Sequence, residues 1–136
     1  MTISSKNTDL GPVRLLLIDD EKDFVNILAK RFKHRNIDVT KAFSGTEAIQ
    51  ALRENKFDVA VLDLKMEDMD GIEVLKIFKI MDPRLSVIML TGHGSAESAE
   101  QGLKLGAFDY LSKPCEMEDL VQKIMQAFAQ RKQRKL

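Results

Sequence analysis

A chain of 136 residues with a single cysteine, Cys115, cannot form an internal disulfide or a cysteine-built zinc site, and such cysteine usage fits a reducing compartment, here expected to be the cytoplasm. Net charge is also missing: 21 basic residues balance 21 acidic ones. That argues against a binder that lays a broad basic face on nucleic acid. The balance is uneven along the chain. Residues 131–136 (RKQRKL) carry four positive charges and no negative one, so residues 1–130 are net acidic. No stretch approaches the roughly 18 apolar residues that a bilayer span needs. The polar N-terminus (MTISSKNTDLGP) lacks the apolar core of a secretion signal. Residues 1–12 read as a short flexible leader, residues 13–130 as one domain and residues 131–136 as a basic tail. Low-complexity stretches and interior linkers are absent. With 44% hydrophobic residues, a chain of this size buries enough surface to fold without a staple.

Three apolar runs are conspicuous: Val13–Ile18 (VRLLLI), Val59–Leu62 (VAVL) and Val87–Leu90 (VIML). None alternates polar with apolar, which suits strands covered on both faces. Ile37–Phe43 is a half-polar strand suited to a position nearer an edge, and Ala107–Leu111 is a short fifth candidate. Helical periods fill the gaps. Phe24, Ile27, Leu28 and Phe32 make one stripe, Ala48, Ile49 and Leu52 a second, Ile72, Leu75 and Phe78 a third. Met117, Leu120, Val121, Ile124 and Phe128 make a strong last one. Ser44 and Glu47 have capping-box spacing, with Glu47 expected to reach back to the Ser44 amide. The segment Ser95–Leu105 has a thin apolar face (Ala96, Ala99, Leu103), and Gly102 weakens it by about 1 kcal/mol against alanine; a marginal, shiftable helix is expected. Strand and helix thus alternate five times. The fold class is α/β, a five-stranded parallel sheet with helices on both faces and right-handed crossovers.

In such sheets ligands sit beyond the carboxyl ends of the strands. Asp19 and Asp20 end the first strand, Asp63 the third and Thr91 the fourth, while Lys113 and Pro114 follow the fifth. Taken alone, Asp19-Asp20 reads as a helix N-cap pair, but capping does not account for a lysine at a fifth strand end. Carboxylates brought together repel unless a cation joins them. An oxygen-only, water-open cluster suits Mg²⁺, and Mg²⁺ with Lys113 would balance three carboxylates. A carboxylate beside Mg²⁺ and a lysine is equipped to take a phosphoryl group by in-line attack, giving an acyl phosphate. Tyr110, taken alone, reads as an ordinary half-buried aromatic. Thr91-Gly92-His93-Gly94 reads as a structural turn or a phosphate-cradling loop, and His93 as a solvated loop residue. Cys115 reads as a passive small residue, and Met66 and Met69 as loop packing.

The ordered set Asp19-Asp20, Asp63, Thr91, Tyr110 and Lys113-Pro114 resembles the receiver domain of two-component response regulators. The resemblance spans about residues 13–130, and Leu90–Pro114 is most similar to receivers of the nitrogen-regulation (NtrC) and FixJ-like groups. It implies a flavodoxin-like (βα)5 doubly wound sandwich. It also implies Asp63 as phosphoacceptor, and Mg²⁺ held by Asp19, Asp20, Asp63 and the backbone carbonyl of Lys65. Lys113 would pair with the phosphoryl oxygens, Thr91 would be the switch hydroxyl, and Tyr110 the aromatic that turns inward. The Lys113–Pro114 bond would be cis, and Gly71 would end the loop after the acceptor. One departure stands out: Glu67 occupies a position where the family often has proline, which puts the stiffness of that loop in question.

The implied partners are a sensor histidine kinase or phosphotransfer protein, a downstream output partner or effector domain, and a homodimer formed on activation. Neither nucleic acid nor membrane is expected to contact this domain directly. An output module would need many more residues after Phe128, so a stand-alone relay and a segment of a longer regulator both remain open. Rival readings fit less well. A haloacid-dehalogenase-type phosphatase wants a second acid where Lys65 stands. A flavin-binding protein of this topology wants a hydroxyl- and glycine-rich loop where Asp19-Asp20-Glu21 stands. A receiver degenerated into a docking module would have lost an acid or the lysine.

Overall fold

The computed structural model describes residues 11–92 and 96–134, with side chains through Arg131. The expected leader, up to residue 10, the loop residues His93 and Gly94, and the side chains of the basic tail beyond Arg131 lie outside the described residues. Ten elements alternate: β1 (Val13–Ile18), α1 (Lys22–Lys33), β2 (Ile37–Ala42), α2 (Gly45–Glu54), β3 (Val59–Asp63), α3 (Gly71–Met81), β4 (Ser86–Thr91), α4 (Ala96–Lys104), β5 (Asp109–Ser112) and α5 (Met117–Arg134). The strands form one parallel sheet in the order β2-β1-β3-β4-β5.

The unbroken apolar runs are explained by the two cores they serve. Leu16, Ile18, Ala60, Leu62, Val87 and Met89 face α2 and α3. Leu15, Leu17, Val59, Val61, Ile88 and Leu90 face α1 and α5. Because strand side chains alternate between faces, a strand covered on both sides must be apolar at every position. Strand β2, at the edge, keeps the half-polar pattern its position allows.

Several local expectations need correction. The stripe on α1 turns by one position: Val25 is buried with Leu28 and Phe32, whereas Ile27 is 53% exposed. The Ser44 hydroxyl accepts from the Glu47 amide at 3.1 Å, but the Glu47 carboxylate reaches the amide of Phe43, at 2.9 Å, not that of Ser44. Strand β5 begins two residues later than its apolar run. Ala107 N–H is donated back to the carbonyl of Gly102, at 3.0 Å, and so closes α4. On α4, Ala99 and Gly102 are buried, while Ala96 and Leu103 are exposed. Gly102 is there for proximity: a Cβ on it would sit 2.2 Å from Met89 Sδ in β4.

Charge placement brings another correction. The boundary expected after residue 130 falls inside α5, and Arg131 is buried. Its guanidinium lies 3.2 Å from the carboxylate of Asp58, just before β3. Asp58, 2% exposed, also accepts from Arg14 of β1 through the backbone amide at 2.9 Å and the guanidinium at 3.2 and 3.0 Å. Burial pushes the Asp58 carboxyl up. The Arg14 hydrogen bonds, its charge and the charge of Arg131 outweigh that and hold it below its ordinary value. This clasp closes the amino-terminal edge of the sheet.

Candidate functional site

The sheet order reverses direction of growth at β1, so β1 and β3 lie side by side and their carboxyl ends open into one crevice. Ile18 pairs with Leu62, which sets Asp19 beside Asp63. Strand β4 runs next to β3, with Asp63 paired to Leu90. Strand β5 pairs Thr91 with Ser112, and Lys113 N–H is donated to the Thr91 carbonyl at 2.7 Å. Three register relations thus carry Asp19, Asp20, Asp63, Thr91 and Lys113 to one rim.

Carboxylate oxygens of Asp19, Asp20 and Asp63 all lie within 4.8 Å of one another. Asp19 and Asp63 are buried and Asp20 is partly exposed. The capping alternative for Asp19-Asp20 does not hold. The N-cap of α1 is Glu21, without a side-chain cap, and Asp19 accepts from the Glu21 amide at 3.0 Å in the loop before the helix. Asp63 accepts from the Lys65 amide at 3.2 Å. Burial first, then the Asp19 charge, push the Asp63 carboxyl up to about 6. Lys113 and the Lys65 amide pull the other way, and Asp20 adds to the rise. A 4%-exposed carboxyl held among like charges marks a site short of positive charge.

Among the described residues, Lys113 brings a cation to this rim. Its ammonium bonds Asp19 Oδ2 at 2.9 Å and Glu21 Oε1 at 2.7 Å, and lies over the Phe24 ring at 4.7 Å. Burial opposes its charge, but the Glu21 and Asp19 bonds raise its pKa well above the ordinary lysine value. Glu21 and Phe24 are the partners that sequence reasoning missed. Glu21 enlarges the local negative charge beyond the three aspartates, so Lys113 with one divalent cation leaves the rim slightly acidic. The donor set among the described residues fits Mg²⁺: three carboxylates, with no nitrogen or sulfur in the cluster. Lys65 is exposed in the loop that follows Asp63. That loop is shut at its neck, where Gly71 N–H is donated to Leu64 O at 3.1 Å. Any Cβ at Gly71 would meet Leu64 Cα at 2.5 Å.

The remaining residues lie to one side. Thr91 is buried, and its hydroxyl is donated to the Leu111 carbonyl at 3.3 Å, away from the acids. Tyr110 is 39% exposed on β5. The Lys113–Pro114 bond is cis. Cys115 packs against the α1/α5 core, with its thiol pKa raised by burial. Met66 and Met69 pack on the other core. No helix among the described residues is long and apolar enough to cross a membrane.

Comparison with known proteins places these features in company. A family model described as the response regulator receiver domain matches residues 15–125. The transcriptional regulatory protein ZraR of Salmonella typhimurium is 34% identical over 119 residues, covering 88% of this chain and 27% of its own length. GlrR of Escherichia coli is likewise 34% identical over 119 residues, with the same coverage. The chain therefore spans about a quarter of the length of these curated relatives. Among solved structures, a response regulator receiver domain protein from Clostridium thermocellum superposes with a TM-score of 0.85 at 34% identity, covering 88% of this chain and 97% of that one. A CheY-like receiver domain protein from Methanospirillum hungatei gives 0.87 at 27% identity, with 91% and 99% covered.

Proposed function

The chain belongs to the response regulator receiver family, and from that premise we propose that it is a phosphoacceptor switch of a two-component phosphorelay, with Asp63 as the acceptor. The observation that carries the reading is the convergence of Asp19, Asp20 and Asp63 within 4.8 Å at the rim that also holds Lys113. A histidine kinase or phosphotransfer protein presents a phosphohistidine. An Asp63 carboxylate oxygen attacks phosphorus, the P–N bond breaks with its electron pair going to the imidazole nitrogen, and an aspartyl phosphate remains.

The chain's own residues divide the work. Asp19, Asp20, Asp63 and the Lys65 carbonyl would hold Mg²⁺. When bound, the ion supplies positive charge that offsets the carboxylates and the phosphoryl oxygens. Lys113 exchanges its bond to Glu21 or Asp19 for a phosphoryl oxygen. Transfer adds about one negative charge to the rim. The Thr91 hydroxyl leaves the Leu111 carbonyl to donate to the new oxygens, and the half-exposed Tyr110 ring turns into the space behind it. The face built by α4, β5 and α5 then changes, and an output domain, a separate partner or a second copy reads it. The thin contact of α4, limited to Ala99 and Gly102 among its buried residues, supports its being the element that shifts. Catalysis by the domain is confined to gaining and losing its own phosphoryl group, in the cytoplasm.

Incubation with acetyl phosphate and Mg²⁺, followed by intact mass, tests the assignment. The wild-type protein gains one phosphoryl group and Asp63→Asn gains none. Full-yield modification of Asp63→Asn would remove Asp63 from the role. Absence of modification in wild type, with Mg²⁺ bound, would favour an unphosphorylated docking module.

A further inference from the structure

The loop from Leu64 to Asp70 carries the Lys65 carbonyl, yet Glu67 stands where proline would have stiffened it. The structure supplies a different restraint. One carboxylate oxygen of Asp68 accepts from the Gly45 amide at 2.9 Å. The other accepts from the Thr46 amide and the Thr46 hydroxyl, both at 3.0 Å. These are the first two amides of α2, an element more than twenty residues upstream. Ser44 already accepts from the next amide, that of Glu47, so Asp68 takes the two orphan donors that Ser44 leaves. The amide bonds hold the Asp68 carboxyl below its ordinary value, so it is a full anion at the positive end of the helix.

The packing around this tether is close. A Cβ on Gly45 would lie 2.9 Å from Met69 Sδ and 3.0 Å from Met69 Cβ, so the bare glycine lets the loop come down on the helix end. The same loop is pinned at its neck by the Gly71–Leu64 bond, and Asp70 caps α3 by accepting from the Ile72 amide at 3.0 Å. The segment between Asp63 and Gly71 is thus fixed at both ends of its neck and again at its outer turn. The Lys65 carbonyl lies between these fixed points.

We propose that Asp68 is a positioning residue of the acceptor site: by clamping the outer turn of the loop to the start of α2, it holds the Lys65 carbonyl where a divalent cation can use it. This rests on the reading of Asp63 and its loop as the metal and phosphoryl site, and it assigns to a side chain the restraint that a proline would otherwise supply.

The test compares Asp68→Ala and the milder Asp68→Asn with Ser44→Ala, which weakens the same helix end without touching the loop. Mg²⁺ affinity is read from amide resonances during titration with the metal alone, and loop mobility from hydrogen exchange of the amides of residues 64–69 in metal-free protein. Asp68→Ala should bind Mg²⁺ about tenfold more weakly, with faster loop exchange, Asp68→Asn should fall between it and wild type, and Ser44→Ala should stay within about twofold of wild type. Wild-type Mg²⁺ affinity in Asp68→Ala would overturn the proposal, as would equal losses in Asp68→Ala and Ser44→Ala. Both readouts stand apart from phosphoryl uptake. A wild-type protein that binds Mg²⁺ but accepts no phosphoryl group would count against the acceptor reading and leave the positioning result legible.

Discussion

The two edges of the sheet treat buried aspartate in opposite ways. At the amino-terminal edge, Asp58 is enclosed by Arg14, which bonds it through three nitrogens, and by Arg131 from the last helix. At the carboxyl-terminal edge, Asp63 is nearly as buried but faces Asp19 and Asp20, and the nearby Lys113 is engaged by Asp19 and Glu21. The carboxyl pKa falls at the first site and rises to about 6 at the second. Two residues of one type, five positions apart, one just before β3 and one at its last position, therefore serve different ends. Asp58 completes its charges within the fold and fixes α5. Asp63 is left in want of positive charge, the condition on which its proposed role as phosphoryl acceptor rests.

Substitutions that erase this contrast should act unequally. The largest effect belongs to Asp58→Ala, which leaves the buried Arg131 without its counter-charge and the Arg14 backbone amide without its acceptor. A loss of about 3–5 kcal/mol is expected in urea unfolding, as for a buried pair broken on one side. Its acid dependence follows from linkage. A carboxyl depressed in the folded state contributes stability above its unfolded value and loses it as pH falls through the folded one. Wild type should thus lose this contribution below pH about 4, and Asp58→Ala should lack that portion of the acid transition. If Asp58→Ala unfolds at the wild-type urea midpoint, the clasp contributes nothing.

Gly71→Ala should come next. The added methyl meets backbone at 2.5 Å, not a yielding side-chain tip, so the loop must move or the helix start must shift, at about 1–3 kcal/mol. Because the strain falls on the loop after Asp63, the proposed acceptor, Mg²⁺ affinity should drop with stability, whereas Asp58→Ala, kept folded, should bind Mg²⁺ as wild type does. A Gly71→Ala protein with unaltered metal affinity would mean the neck of the loop does not position the site. Arg14→Ala should be the mildest. Its side chain is about half exposed, and Arg131 remains beside Asp58. A loss of about 1 kcal/mol is expected by the same urea midpoint, and a loss as large as that of Asp58→Ala would show that Arg131 does not share the charge.

The legibility of these features differed for physical reasons. Runs such as VAVL and VIML declare their strands because covering both faces of a sheet forbids polar residues, and the rim acids followed from the rule that parallel strands open their sites at one end. Asp19, Asp20, Asp63, Thr91 and Lys113 were therefore readable as a set. Partner choice was not. Nothing local distinguishes Asp58 from a surface acid, since Arg14 and Arg131 reach it only through strand order and the length of α5. Glu21 and Phe24 join Lys113 across more than eighty residues, and Asp68 meets α2 across a loop, contacts that periodicity cannot encode. Ile27 was misassigned because a stripe of i, i+3 and i+4 positions fits two neighbouring faces, and the sheet chose Val25. Gly102 looked like a weak point by propensity, but its place against Met89 shows that close approach was the stronger demand.

The central claim is that the carboxyl-terminal rim is held short of positive charge. The most direct measurement is the urea unfolding free energy of metal-free wild type and Asp63→Asn as a function of pH. For a carboxyl raised from 3.8 to about 6 in the folded state, the folded form binds the extra proton between those values, so this group costs stability as pH rises through them. Asp63→Asn should therefore be more stable than wild type at pH 7 by about 1–3 kcal/mol, with the gap closing toward pH 4, and saturating Mg²⁺ should narrow it at pH 7 by stabilising wild type selectively. Equal stability of the two proteins at pH 7 without metal, or a gap that Mg²⁺ leaves unchanged, would contradict the account.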